Sequence, residues 1–190
     1  MRITKFNGKS NMTACVRPKI DYIVIHYTAS TQAEKGTARA ICEMFNRTST
    51  QASADYVVDK ATVIQYNTKP HKQYCWSVGG AKYTSMSTSL GGKFYGLCRN
   101  SNSISIEMCS QKRNKRSVSA TDKDWSIPSE VKEHTIWLVR KLMKRYNIDI
   151  DHVVMHHMVT GKLCPQPWVY NESRLKQWKK FKRALVSPIN

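Results

Sequence analysis

Nowhere in these 190 residues do eighteen apolar side chains run together, which excludes a membrane-spanning helix. The opening stretch "MRITKFNGKSNMTAC" carries basic residues but no continuous apolar segment behind them, so a secretory signal peptide is not expected. CxxC pairs are missing as well. Cys15, Cys42, Cys75, Cys98, Cys109 and Cys164 stand apart, in a chain long enough to fold without covalent staples. Most are expected to be free thiols, with Cys42 on an apolar helical face and Cys109 at a strand end serving as small hydrophobes. Acidic residues are scarce, 13 against 31 lysines and arginines, and the formal net charge is +18. An imbalance of that size sets up a long-range field that favours a polyanionic partner, whether nucleic acid, an anionic polymer or an anionic membrane surface. Repeats and low-complexity linkers are also absent, and the length suits one domain.

The patterns that are present alternate between strand and helix. "DYIVIHY" (21–27) is a β-branched run without helical periodicity, which reads as a buried central strand with His26 near its carboxyl end. In "GTARAICEMFNR", Ala38, Ile41, Cys42 and Phe45 share one helical face, completing a βα unit. "SADYVVDKATVIQYN" predicts a hairpin that turns at Asp59 and Lys60. From Lys69 to Ser101 the chain is rich in Gly, Ser, Tyr and Lys and reads as a long functional loop. "NSISIEMCS" alternates, sending Ile104 and Ile106 to one face and Ser103, Ser105 and Glu107 to the other.

"QKRNKRS" (111–117) reads as a basic loop, and the next helix takes Ser129 as its expected N-cap, with Val131, Thr135, Leu138 and Leu142 as its core stripe. "DHVVMHH" is a further short strand. The tail "NESRLKQWKKFKRAL" predicts a cationic helix with Leu175, Trp178, Phe181 or Lys182, and Leu185 along one side, a stripe suited to packing on the domain rather than to a membrane. The expected architecture is a single mixed α/β domain over residues 1–190, a central mixed sheet flanked by helices. Its core covers roughly 17–170 and its basic C-terminal helix roughly 171–186.

Chemistry concentrates in "VVMHHMVTGKLCP" (153–165). A catalytic zinc site needs three nitrogen, sulfur or oxygen ligands from the protein. His26 and His156 at strand ends, with Cys164 eight residues beyond His156 on a loop containing Gly161, can supply such a set. In order, "DYIVIHYTAS", "SADYVVDK", "SISIEMCS" and "MHHMVTGKLCP" resemble the signatures of the type 2 N-acetylmuramoyl-L-alanine amidase family, over about Asp21 to Pro165. That family of zinc amidases includes phage lysozymes of the T7 kind, Bacillus prophage endolysins and peptidoglycan recognition proteins.

The resemblance implies Zn2+ held by His26, His156 and Cys164, the family spacing selecting His156 over its neighbour. It also implies a zinc-dependent hydrolysis of the amide between N-acetylmuramic acid and L-alanine in peptidoglycan. Glu107 would be the base, as in the prophage branch that uses a glutamate in an "ISVEI"-like strand, and Lys162 would steady the oxyanion. His157 would be a supporting or cleft residue, and Trp76 and Gly79 substrate contacts. Two positions depart from parts of the family: Ala54 stands where the T7-like branch has a catalytic tyrosine, and Ser77 where many members have the histidine of W-H-x-G.

A non-catalytic peptidoglycan-binding module of the same fold is the alternative, although the cysteine whose loss marks such members is present here. Nucleic acid rests on charge alone, with no recognition motif or RNP-like aromatic pattern to support it. By analogy the chain is a phage or prophage endolysin, made without a signal peptide in the host cytoplasm and released to the wall through a holin-type pore. Its charge would then serve adsorption to anionic wall polymers or lipopolysaccharide.

Overall fold

Apolar runs bounded by turn residues become strands, and stripes at helical spacing become helices, in the computed structural model of the chain, which describes residues 1–188. In chain order the elements are β1 (Ile3–Lys5), β2 (Met12–Ala14), β3 (Tyr22–Tyr27), α1 (Thr37–Phe45), β4 (Tyr56–Val58), β5 (Val63–Gln65), β6 (Gln73–Cys75), β7 (Ser103–Met108), β8 (Gln111–Lys112), β9 (Trp125–Ser126), α2 (Ser129–Tyr146), β10 (Val153–Met155), α3 (His156–Thr160), α4 (Gln166–Val169) and α5 (Leu175–Val186). Six strands form the central mixed sheet in the order β1-β5-β4-β7-β3-β10, as the α/β reading expects. β4, β7, β3 and β10 run parallel, so their carboxyl ends share one edge of the sheet.

Burial on both faces explains why the central strands are so apolar. All six residues of β3 are buried. Ile23 and Ile25 join Ile104 and Ile106 in the main core, where α2 lies across β3, β4 and β7. Tyr22, Val24 and Val154 belong to a smaller cluster with Val78, Cys98 and Val159. Ser103 and Ser105 are therefore buried beneath this thinner cover rather than exposed, and the small hydroxyls leave room for it.

The hairpin at Asp59 and Lys60 forms as expected, with β4 antiparallel to β5. Asp59 Oδ1 accepts from Ala61 N, Thr62 N and Thr62 Oγ1 at 2.7–2.9 Å, while Oδ2 accepts from Gly36 N and Ala38 N at the start of α1. One carboxylate thus closes the turn and serves amides that the helix cannot satisfy itself.

Three expectations need correction. Ser129 is the first helical residue of α2, not its N-cap, because Pro128, in an extended conformation, takes the cap position and its carbonyl accepts from Lys132 N at 3.1 Å. "QKRNKRS" is not wholly loop: Gln111 and Lys112 pair with Ser126 and Trp125. Lys112 is buried, its ammonium bonded to Asp122 and to the Ser117 carbonyl (2.7 Å), 3.4 Å from Asp124 and over the Trp125 ring. Inside the long 69–101 segment, β6 pairs with β2, which together with β1 was not read from the N-terminal residues.

The tail forms α5, which buries Leu175, Trp178, Phe181 and Leu185 against α2 and α4, as a packing stripe should. Phe181, not Lys182, completes the stripe. Arg140 of α2 donates to the Leu185 and Ala184 carbonyls, partners that a helix C-terminus lacks internally.

Candidate active site

Register brings the chemistry together. In the parallel β3–β7 pair His26 lies opposite Glu107, and in the β3–β10 pair Met155 lies opposite Ile25. One residue further, His156 is level with His26. Paired residues on adjacent strands project to the same face, so His26 and Glu107 emerge side by side at the carboxyl edge of the sheet. His156 opens α3 instead of ending the strand, and Gly161 at φ +85 stops that helix in a left-handed turn. The chain then doubles back, with the Cys164 carbonyl accepting from His157 N at 2.8 Å.

One donor atom from each of His26, His156 and Cys164 lies within 4.8 Å of the other two, and all three residues are buried. His26 Nδ1 is 3.8 Å from Cys164 Sγ and 4.0 Å from Glu107 Oε1, and the two histidine rings are 4.6 Å apart. Burial, then the neighbouring His156 and Lys162, hold His26 well below the ordinary histidine range. Burial and the Lys162 charge bring His156 down to about 3. Both imidazoles are thus neutral lone-pair donors at neutral pH. Burial, followed by the Glu107 charge, pushes the Cys164 thiol up.

These residues fit a metal. His26 Nδ1 faces Cys164 Sγ and the Glu107 carboxylate, whose Oε2 is buried without a hydrogen-bond partner, an arrangement that costs stability in a site meant to be self-sufficient. Two neutral imidazoles and a thiol held away from water suit a divalent ion of zinc's kind, whose charge would also reverse the upward push on the thiol.

The donors open onto a cleft of about 470 Å3. Glu107 lines it with 17% of its side chain exposed, and burial, opposed by the Lys162 charge, raises its carboxyl to about 7. Lys162 is exposed at the rim. Trp76 forms part of the wall, 39% exposed, its Nε1 donating to Thr13 Oγ1 at 2.8 Å.

Of the other two expected site residues, His157 takes the supporting one of its two expected roles and Gly79 is placed elsewhere. His157 is fully buried, with Nε2 at 2.8 Å from Thr88 Oγ1 and Nδ1 at 2.9 Å from the Lys162 carbonyl, so it braces the loop and does not line the cleft. Gly79 lines a separate cleft with Tyr95 and Arg99. Among residues not anticipated, Tyr83 lines the cleft, as do Ile41 and Met44 on the exposed shoulder of α1. Tyr83 lay in an aperiodic segment with no signal of its direction.

A neutral trio of donors able to hold a metal ion, beside a carboxyl able to take up a proton, stands at the carboxyl edge of a mixed α/β sheet. The N-acetylmuramoyl-L-alanine amidase family model matches residues 16–167, and the chain belongs to that family. It is 30% identical over 168 residues to N-acetylmuramoyl-L-alanine amidase CwlL of Bacillus licheniformis, covering 86% of this chain and 41% of that protein. N-acetylmuramoyl-L-alanine amidase CwlH of Bacillus subtilis (strain 168) is 28% identical over 166 residues, covering 87% and 53%. The chain thus spans about half the length, or less, of these curated relatives. The fold is shared with the solved structure of PlyL, at TM-score 0.66, 23% identity and full coverage of both chains. It is shared too with a mutant endolysin from Bacillus subtilis, at TM-score 0.64 and 24% identity over 97% of this chain and 98% of that one. No described helix is long and apolar enough to cross a membrane.

Proposed function

We propose that the chain is a zinc-dependent N-acetylmuramoyl-L-alanine amidase that cuts the amide between the lactyl group of N-acetylmuramic acid and L-alanine in peptidoglycan. The observation that carries this reading is the convergence of His26, His156 and Cys164 beside Glu107, in a chain of the amidase family. Zinc, when bound by those three residues, supplies the Lewis acidity that polarises a carbonyl and acidifies water.

The remaining work falls to the chain's own groups. Glu107, with its carboxyl near neutrality, takes a proton from the attacking water and returns it to the leaving nitrogen of L-alanine, so that a carboxylate and a free amine result. Lys162 places a positive charge at the cleft rim, where the carbonyl oxygen becomes an oxyanion. Trp76 offers an exposed indole to the sugar or peptide beside the bond. Glu107 in register with His26, together with the wholly buried Ala54, supports a place in the glutamate-using prophage endolysin branch.

We further read the core and the basic helix as one catalytic domain, because Trp178 and Phe181 of α5 belong to the same apolar cluster as the sheet. The site of action is the bacterial wall, reached by a holin-type route. Anionic wall polymers or lipopolysaccharide are the partners that the +18 charge would recruit.

Digestion of purified sacculi tests the reaction. New N-terminal L-alanine with no new reducing sugar ends is the expected result. Release of neither, by protein that holds zinc, would turn the reading towards a peptidoglycan-binding module.

A further inference from the structure

His156 and His26 are held differently. Each has one nitrogen facing the donor cluster, but only His156 has a partner for the other: its Nε2 lies 2.8 Å from the Val78 carbonyl, whereas His26 Nε2 has none. A carbonyl can only accept, so Nε2 of His156 carries the proton and the lone pair sits on Nδ1. The orientation of this ring therefore depends on where the Val78 carbonyl points. Val78 lies in the aperiodic 69–101 segment, just before a left-handed turn at Gly79 (φ +70), and is not itself part of a strand or helix.

The amides of the two residues that lead to this carbonyl, Ser77 and Val78, converge on one side chain. Asn100, in a short 3-10 turn beside β7, accepts at Oδ1 from Val78 N (2.8 Å), Ser77 N (3.2 Å) and Ser77 Oγ (3.3 Å). Two of these donors are backbone amides, which settles the orientation of the carboxamide oxygen. Ser77 Oγ also bonds Ser105 Oγ of β7, tying the same loop to the sheet. We infer that Asn100 is a positioning residue for the metal centre: through the Ser77–Val78 backbone it aims the carbonyl that orients His156. Ser77 serves as a brace within that linkage. The inference rests on the metal-site reading of His26, His156 and Cys164.

The test is zinc affinity, measured on the full chain by competition with a chromophoric chelator, with the visible spectrum of the Co2+-loaded protein alongside. Asn100→Ala removes the three-way acceptor and should weaken zinc binding about 10- to 100-fold, with an altered cobalt spectrum. Asn100→Asp keeps an oxygen in the same place and should retain affinity within about threefold. If Asn100→Ala does not fold, Asn100→Gln, whose oxygen sits one methylene too far out, takes its place with the same expected loss. Wild-type affinity and spectrum in the Ala or Gln variant, or an Asp variant as weak as Ala, would overturn the inference. Cys164→Ser separates this from the underlying reading. Loss of zinc there with none in Asn100→Ala defeats only the Asn100 role, while unchanged zinc binding in Cys164→Ser defeats the metal site itself.

Discussion

At the scale of single residues, the contrast between Glu107 and Lys162 organises the site. Glu107 is enclosed at the end of β7, and burial lifts its carboxyl to about 7, the range in which a group can both take and return a proton at neutral pH. Lys162 stays in solvent at the rim, yet its charge lowers both histidines and opposes the rise at Glu107. Glu107→Gln keeps the shape and the hydrogen-bonding capacity but not the basicity. Turnover on sacculi should fall about a hundred- to ten-thousandfold with zinc content unchanged, as measured by elemental analysis of the same sample. Undiminished turnover would remove Glu107 from the base role. The eight-residue interval between His156 and Cys164 was legible in sequence, and so was the alternation that sends Glu107 away from the isoleucines. The burial of His157 was not, because neighbouring residues of identical chemistry differ only in which way a short helix turns them, and the partners of Asn100 lie in a distant segment without periodicity.

Elements show where pattern suffices and where it does not. The β3 run, the α1 stripe, the hairpin at Asp59 and the α5 stripe were all readable, since each has a period that burial on one or both sides enforces. β1 and β2 are three-residue strands that exist because β5 and β6 offer them an edge, a fact about partners and not about their own sequence. Lys112 looked like part of a solvated basic loop, and only the fold supplies Asp122 and Asp124 to pair it. For α5 the structure makes a quantitative claim. Trp178 is 4% exposed, stacked on Phe181 at 5.7 Å and packed on Trp168 at 6.0 Å. Trp178→Ala should cost about 3–5 kcal/mol in urea unfolding. A loss under about 1 kcal/mol would make α5 an appendage instead of a core element.

Over the whole molecule, charge and topology act on different problems. Lys176, Lys179, Lys180 and Arg183 lie on the exposed side of α5, opposite its buried stripe, so the helix contributes to the core and to the +18 field at once. That field should govern adsorption to anionic walls. Raising salt from about 0.1 M to about 1 M shortens the screening length from about 10 Å to about 3 Å, and binding of Glu107→Gln protein to wall particles should drop at least about tenfold. Salt-independent adsorption would instead place the affinity in the cleft. The sequence by itself determined the class of fold, the family and the charge, because hydrophobic period, residue chemistry and composition are local properties. Only the tertiary structure decided which groups meet. Parallel register sets His26 level with Glu107 and His156, and a loop without periodicity carries the carbonyl that orients a ligand, relations that arise between segments and leave no mark within any one of them.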